Sequence, residues 1–306
     1  MYHGLLNVYK EKGYTSFDVV AVLRGILGQK KIGHTGTLDP EAEGVLLICL
    51  GNGTKLCDML ENKSKRYYCR MKLGIMTDTE DMTGNIISQK EPCNDPDKIR
   101  DVIMSFEGEY DQIPPMYSAL KVNGKKLCDL ARKGIEVERK SRKVNISEIN
   151  IEKIELPYVS FNVLCSKGTY IRSLCRDIGN KLGCGAAMDY LRRTEVSGFN
   201  LHDALKLDEI KKLVSEGEMD DRVLPLEKAF DGIESIYVSE KAKSYLINGN
   251  TLTSEDLSNT VIPNDNELFK VYLPSGVFAA VYRYNSDNNN YKVEKMFPDL
   301  IKNDNN

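Results

Sequence analysis

Lys31-Ile32-Gly33-His34-Thr35-Gly36-Thr37-Leu38-Asp39-Pro40, followed at once by Gly44-Val45-Leu46-Leu47-Ile48-Cys49-Leu50-Gly51, organises the reading of this 306-residue chain. The stretch sets one carboxylate, Asp39, in a glycine-containing loop ahead of an apolar run of strand length. Gly33 and Gly36 permit backbone geometry that other residues resist. Pro40 biases Asp39 away from helical geometry. A carboxylate fixed at the edge of a buried strand can be aimed at a substrate, for nucleophilic or electrostatic catalysis. Asp and Pro are also common turn residues, so an ordinary turn is the competing reading.

Outward from this stretch the pattern alternates between helix and strand. Thr15-Ser16 caps a helix with Val19, Val20, Val22, Leu23, Ile26 and Leu27 on its apolar positions, ended by Gly28. Beyond the 45–50 strand, Tyr67, Cys69, Met71 and Leu73 share one face of a second strand, with Tyr68, Arg70 and Lys72 on the other. Asp95-Pro96 starts a helix with Ile99, Val102, Ile103 and Phe106 inward. Strands are expected over 144–154 and 159–165, a helix over 169–182, and another over 208–215. The texture changes near Asp231, after which short strand-like runs at 271–273 and 277–282 are separated by Asn, Ser, Pro and Gly. Residues 285–290 read as a hairpin loop, and 303–306 as a disordered tail.

Charged residues are 28% and apolar residues 41% of the chain, as in globular proteins. The longest apolar run is too short to cross a bilayer as a helix. The N-terminus shows no basic leader followed by a long apolar stretch, so no secretion signal is expected. Eight cysteines occur with no Cys-x-x-Cys pair and only three histidines are present, which points to free thiols in a reducing cytoplasm and to no metal. Net charge is −3, but residues 121–143 hold nine basic side chains against three acidic ones. That window and a second basic group, Lys63, Lys65, Arg66, Arg70 and Lys72, read either as solvated faces or as strips that contact phosphates.

Ser166-Lys167-Gly168-Thr169-Tyr170-Ile171-Arg172 marks a strand end and a helix start. A cation in a first helical turn gains nothing from the helix dipole. Arg172 is therefore either a surface arginine or the partner of a carboxylate elsewhere, which it would hold ionised and oriented.

The loop at 34–40, the strand at 43–51, Ser64-Lys65-Arg66-Tyr67, Pro115-Met116-Tyr117-Ser118-Ala119-Leu120-Lys121, the 165–172 segment and Leu191-Arg192-Arg193-Thr194 occur in this order. Together they resemble the bacterial tRNA pseudouridine-55 synthases of the B-type (TruB) family over most of residues 5–230. The resemblance implies an α+β fold with a mixed, largely antiparallel central sheet flanked by helices. It also implies a catalytic domain over 1–231 with a basic thumb insertion near 112–146, and a small β-rich PUA-like C-terminal domain over 232–306. The implied reaction isomerises a uridine in the T-arm loop of tRNA after flipping the base, with no cofactor or metal. The departing uracil leaves positive character at C1′, which a carboxylate stabilises or traps. Attack at C1′, attack at C6 and elimination to a glycal all remain open.

By the same resemblance Asp39 is the catalytic carboxylate, Tyr67 the tyrosine that stacks on the extruded base, and Arg172 the partner of Asp39. His34 supports the flipped nucleotide, Tyr170 lies near the uracil, and Leu191 is an apolar contact under the base. Lys10 matches an N-terminal Lys-Pro-x-Gly pattern in which Glu11 replaces the usual proline. Lys121, Arg132, Lys133 and Arg139 are expected RNA contacts of the thumb. The implied partner is tRNA, with no membrane, no guide RNA and no obligate protein partner, and the implied enzyme is a cytoplasmic monomer. Two other readings remain. One is a non-catalytic RNA-binding or tRNA-folding helper, which charge and stacking alone could support. The other is a phosphate-binding enzyme built on Gly33–Gly36, although the loop lacks the Gly-Lys-Ser/Thr ending of a P-loop.

Overall fold

A computed structural model describes residues 1–61 and 63–303. The elements follow the chain as β1 (Gly4–Lys10), α1 (Ser16–Leu27), β2 (Ile32–His34), β3 (Glu43–Leu50), α2 (Cys57–Glu61), β4 (Lys65–Leu73), β5 (Ile75–Thr77), β6 (Ile86–Gln89), α3 (Pro96–Met104), β7 (Gly108–Gln112), β8 (Lys121–Val122), β9 (Lys125–Lys126) and α4 (Leu127–Ala131). Next come β10 (Arg142–Glu155), β11 (Tyr158–Cys165), α5 (Ile171–Leu182), β12 (Ala186–Val196), β13 (Phe199–Asn200) and α6 (Leu207–Glu216). The C-terminal part holds β14 (Ser235–Tyr237), α7 (Lys243–Ile247), β15 (Leu268–Tyr272), β16 (Phe278–Asn285), β17 (Asn290–Met296) and α8 (Pro298–Asn303). Of the expected disordered tail, residues 304–306 lie outside the described residues, and Asn303 ends α8.

The apolar run at 45–50 is continuous because β3 is buried on both faces. Val45, Leu47 and Cys49 enter one core with Leu5, Phe199 and Phe230, while Leu46, Ile48 and Leu50 enter another with Val19, Val20 and Leu23 of α1. The helix α1 forms as its caps predict: Thr15 and Asp18 make a reciprocal capping box and Gly28 closes it in the left-handed region. The period-2 face of β4 packs Tyr67, Cys69, Met71 and Leu73 with Val159, Phe161 and Val163 of β11 and with the apolar side of α5. The large sheet runs β1-β3-β12-β4-β11-β10-β7, with β2 and β13 paired at its side. Its ladders are antiparallel apart from the β3–β12 pair, so the sheet is mixed.

The parallel crossing of β3 and β12 brings two backbones into close approach beside the Asp39 loop. There Arg193 pairs with Gly44, which has φ +107°, and a Cβ on Gly44 would lie 2.2 Å from the Arg193 carbonyl oxygen. Only glycine lets the two backbones meet at this point.

The C-terminal sheet, β14-β15-β16-β17, has its own core around Phe269, Tyr282 and Tyr291. Its other side sends Phe278 and Val281, together with Phe297, into the core that also holds Leu5, Val45 and Leu47. Strands β14 and β17 were not anticipated from sequence, because one is three residues long and the other is largely polar.

Gly44→Ala is expected to lower unfolding stability by more than about 1 kcal/mol, since φ is positive and the space is filled. Urea denaturation measures this, and wild-type stability would mean that the β3–β12 crossing opens at little cost.

Candidate active site

The loop between β2 and β3 is held by its own backbone. Gly36 has φ +85° and its carbonyl accepts a bond from Nη2 of Arg193 at 3.1 Å. Leu38 exchanges hydrogen bonds with the Ser16 hydroxyl, its N–H donating at 2.9 Å and its carbonyl accepting at 3.3 Å. The Pro40 carbonyl accepts from Gly13 N–H at 2.9 Å and from Lys10 Nζ at 3.2 Å, and the Ala42 carbonyl accepts from the same Nζ at 2.5 Å. Leu38 and Ala42 anchor both sides of Asp39 in the core beside Tyr67. Every strong support reaches the main chain, and the Asp39 carboxylate is left facing out.

Arg172 takes that carboxylate side-on. Its Nε lies 2.9 Å from Asp39 Oδ2 and its Nη2 donates to Oδ1 at 3.2 Å. The Arg172 side chain is 5% exposed and the Asp39 side chain 39%. Nη1 donates to the Thr79 carbonyl at 3.1 Å and Nη2 also donates to the Tyr117 carbonyl at 2.9 Å. The Asp81 carboxylate stands 3.9 Å from Nε and is itself held by Thr79 and Thr83. A two-point Arg–carboxylate contact fixes direction as well as charge. The expected helix start moves from 169 to Ile171 because Gln112 grips Tyr170. Its Oε1 accepts the Tyr170 N–H at 2.8 Å and its Nε2 donates to the Tyr170 carbonyl at 3.0 Å, which keeps Tyr170 extended.

The pair opens on a cavity of about 750 Å³ whose wall includes Asp39, Tyr67, Tyr170, Arg172, Leu191 and Arg132. Arg142 stacks over the Tyr170 ring at 4.7 Å. Burial pushes the Tyr67 phenol up, and the nearby Arg193 guanidinium pulls it back. Burial, then the Arg193 charge, lowers the Lys65 ammonium to about 8. No cluster of His, Cys, Asp and Glu among the described residues has the arrangement to hold a metal ion.

A carboxylate fixed by a buried arginine beside a tyrosine and a leucine is an arrangement that can be set against known proteins. The family model described as "TruB family pseudouridylate synthase (N terminal domain)" matches residues 24–171, and that of the "tRNA pseudouridylate synthase B C-terminal domain" matches 172–231. The chain belongs to the TruB family. Relatives named tRNA pseudouridine synthase B come from Lachnoclostridium phytofermentans, 48% identical, and Clostridium kluyveri, 45% identical. Each alignment covers 96% of this chain and 99% of the relative. Among solved structures, a Cbf5-Nop10-Gar1 complex contains a chain with a TM-score of 0.75 at 28% identity, covering 97% of this chain and 86% of that one. An H/ACA RNP bound to a substrate RNA contains one with a TM-score of 0.74 at 25% identity, at the same coverages.

Within this TruB family chain, several sequence-based expectations change. Lys10 is fully buried, pairs with Gly44 in the β1–β3 register and donates to three carbonyls, so it supports the loop and is closed to RNA. Glu11 in place of proline leaves that contact intact, its own carbonyl accepting from Nζ at 3.1 Å. Arg139, expected as an RNA-contacting cation, is not free: its side chain is 19% exposed and Nη1 donates to the Pro114 carbonyl at 3.1 Å, tying its segment back to residue 114. The second basic group is not an open strip either. Lys65 falls on the buried face of β4 and donates to the carbonyls of Glu61 and Lys63, Arg66 pairs with Glu148, and Arg70 with Asp189. His34 is half-buried outside the cavity wall, its enclosed Nδ1 has no hydrogen-bond partner among the described residues, and burial holds its pKa down. Lys121, Arg132 and Lys133 are exposed.

Sequence reasoning missed Arg193, Thr79 and Asp81. Arg193 is fully buried and, among the described residues, pairs with no carboxylate; its Nε donates to the Val45 carbonyl at 2.7 Å. Only the density of Thr and Asp over 77–85 hinted at a loop fixed by its own side chains.

Burial holds the Lys10 ammonium at about 8, against 10.5 in the unfolded chain. Between those values the unfolded state binds the extra proton, so this group adds stability as pH rises from about 8 toward 10.5. Urea titrations across that range are expected to show the rise in wild type and a smaller one in Lys10→Met; an identical slope in the variant would show that Lys10 is not the group responsible.

Proposed function

We propose that this protein is a cytoplasmic tRNA pseudouridine-55 synthase that isomerises a uridine in the T-arm loop, with Asp39 as its catalytic carboxylate. The observation that carries the proposal is the two-point contact of the buried Arg172 with Asp39 at the cavity wall, beside Tyr67 and Leu191. The cavity accepts one nucleotide turned out of its stack. As the bond from uracil N1 to C1′ breaks, positive character develops at C1′. An ionised, oriented carboxylate stabilises it, as in retaining glycosidases. The detached uracil turns, C5 bonds to C1′, the proton leaves C5 and N1 gains one. Tyr67 stacks on the base, Leu191 lies under it and Tyr170 borders it.

The catalytic domain is taken as 1–231, with the thumb near 112–146 and a PUA-like domain over 232–306. The thumb supports action as a monomer on tRNA, with no guide RNA and no obligate protein partner. Its exposed Lys121, Arg132 and Lys133 are suited to phosphates. The C-terminal residues from 231 onward carry seven basic and eleven acidic side chains, which suits a supporting role better than RNA contact.

Two experiments test this reading. Pseudouridine formation in an unmodified tRNA transcript, mapped by chemical derivatisation and mass spectrometry, is expected at the T-arm uridine with wild type and nowhere with Asp39→Asn, which still binds the transcript. Wild type that binds without converting any uridine would favour the helper reading. Separately, replacing Lys121, Arg132 and Lys133 by Ala is expected to weaken tRNA binding and to flatten log K against log salt by roughly 0.7 to 0.9 for each phosphate that is no longer neutralised. An unchanged slope would leave these side chains as a solvated face.

A further inference from the structure

One turn beyond Arg172, α5 carries a second arginine that grips the same two segments. Arg172 holds the Thr79 carbonyl on the 77–85 loop and the Tyr117 carbonyl at the root of the thumb. Arg176 forms an ion pair through Nη1 with Glu80 of that loop, and its Nη2 donates to the Ile113 carbonyl of that root at 2.9 Å. Glu80 is buried, has φ +66° as a non-glycine residue, and accepts a hydrogen bond from Ser173 at 2.7 Å on its other oxygen. Asp177 holds the far side of Arg176, at 2.8 Å from Nη2. A left-handed glutamate is a costly conformation that persists only where its surroundings impose it. Here they hold Glu80 between the Thr79 carbonyl and the Asp81 carboxylate, the two groups that direct Arg172.

We propose that Glu80 and Arg176 form a positioning pair for the reaction, clamping the 77–85 loop and the thumb root onto α5 so that Arg172 stays aligned with Asp39. Neither side chain lines the cavity, so the pair acts through Arg172 and not on the nucleotide. The inference rests on the proposed function, because its readout is uridine isomerisation.

The test compares single-turnover conversion of a tRNA transcript, transcript affinity and thermal unfolding for wild type, Glu80→Gln, Glu80→Gly, Arg176→Met, Arg176→Lys and the Glu80→Gln/Arg176→Met double variant. The Gln and Met variants are expected to lose about ten- to a hundred-fold in single-turnover rate, as for a misplaced reacting group, with transcript affinity within about two-fold of wild type. The double variant is expected to lose no more than the worse single one, because the two act as a unit. Glu80→Gly suits the left-handed backbone, so it is expected to unfold no earlier than Glu80→Gln while losing as much rate. Arg176→Lys, which can keep the ion pair, is expected to recover part of it. Lys181→Ala, at the far end of α5 where Nζ meets the Ser105 hydroxyl and the Phe106 ring, away from both arginines' partners, is expected to match wild type in rate. Variants that unfold earlier yet convert at the wild-type rate would overturn the proposal, as would losses confined to affinity. Wild type that converts no uridine would overturn the proposed function, and this inference with it.

Discussion

The site depends on the backbone of the loop that carries Asp39. Its carbonyls are claimed by two cations, Arg193 and Lys10, that are fully buried and form no ion pair among the described residues. Charges so enclosed are costly unless their donors are used, and here main-chain oxygens use most of them. The consequence is electrostatic. Positive groups, Lys10, Arg193 and Lys65 among them, gather behind the loop, and Arg172 stands before it. The Asp39 carboxylate feels the Lys10 and Arg172 charges. Its direction is fixed by the bidentate contact with Arg172, and its height by Leu38 and Ala42 in the core.

Glycine makes this arrangement possible at the crossing of β3 and β12. Because Gly44 lacks a side chain, the Arg193 backbone lies close against it, and the guanidinium reaches back to Val45 and Gly36. The strand β12 therefore supplies Leu191 to the cavity on one face and the loop's buried anchor two residues later. Sheet geometry and the geometry of the cavity wall are coupled through one strand.

Much of this was legible in sequence, for reasons that differ by residue. Asp39 and Arg172 stood out because each occupies a local setting with a physical oddity, a carboxylate in a constrained loop and a cation at a helix start. The period-2 face of β4 and the caps of α1 read correctly because both are local patterns. Lys10, Lys65, Arg139 and Arg193 did not, because a sequence displays charge but not burial. Lys10 and Arg193 meet their partners across 30 to 157 residues of chain. Asp81 was missed for the same reason: its place beside Arg172 exists only after α5 packs on the sheet. The hairpin loop at 285–290 was read from its asparagines, but its returning strand β17 was missed because that strand is largely polar.

The two-sided burial of β3 has a consequence for the making of the protein. The face of β3 that carries Val45 and Leu47 is completed by Phe278, Val281 and Phe297, near the end of the chain. During synthesis at about 5 to 20 residues per second, that face stays partly uncovered until the last segment is made. The loop that carries Asp39 thus gains this support only after residues 278–297 have been made. A premature stop before β16 would remove no residue of the cavity wall and would still strip the strand beneath it of its cover.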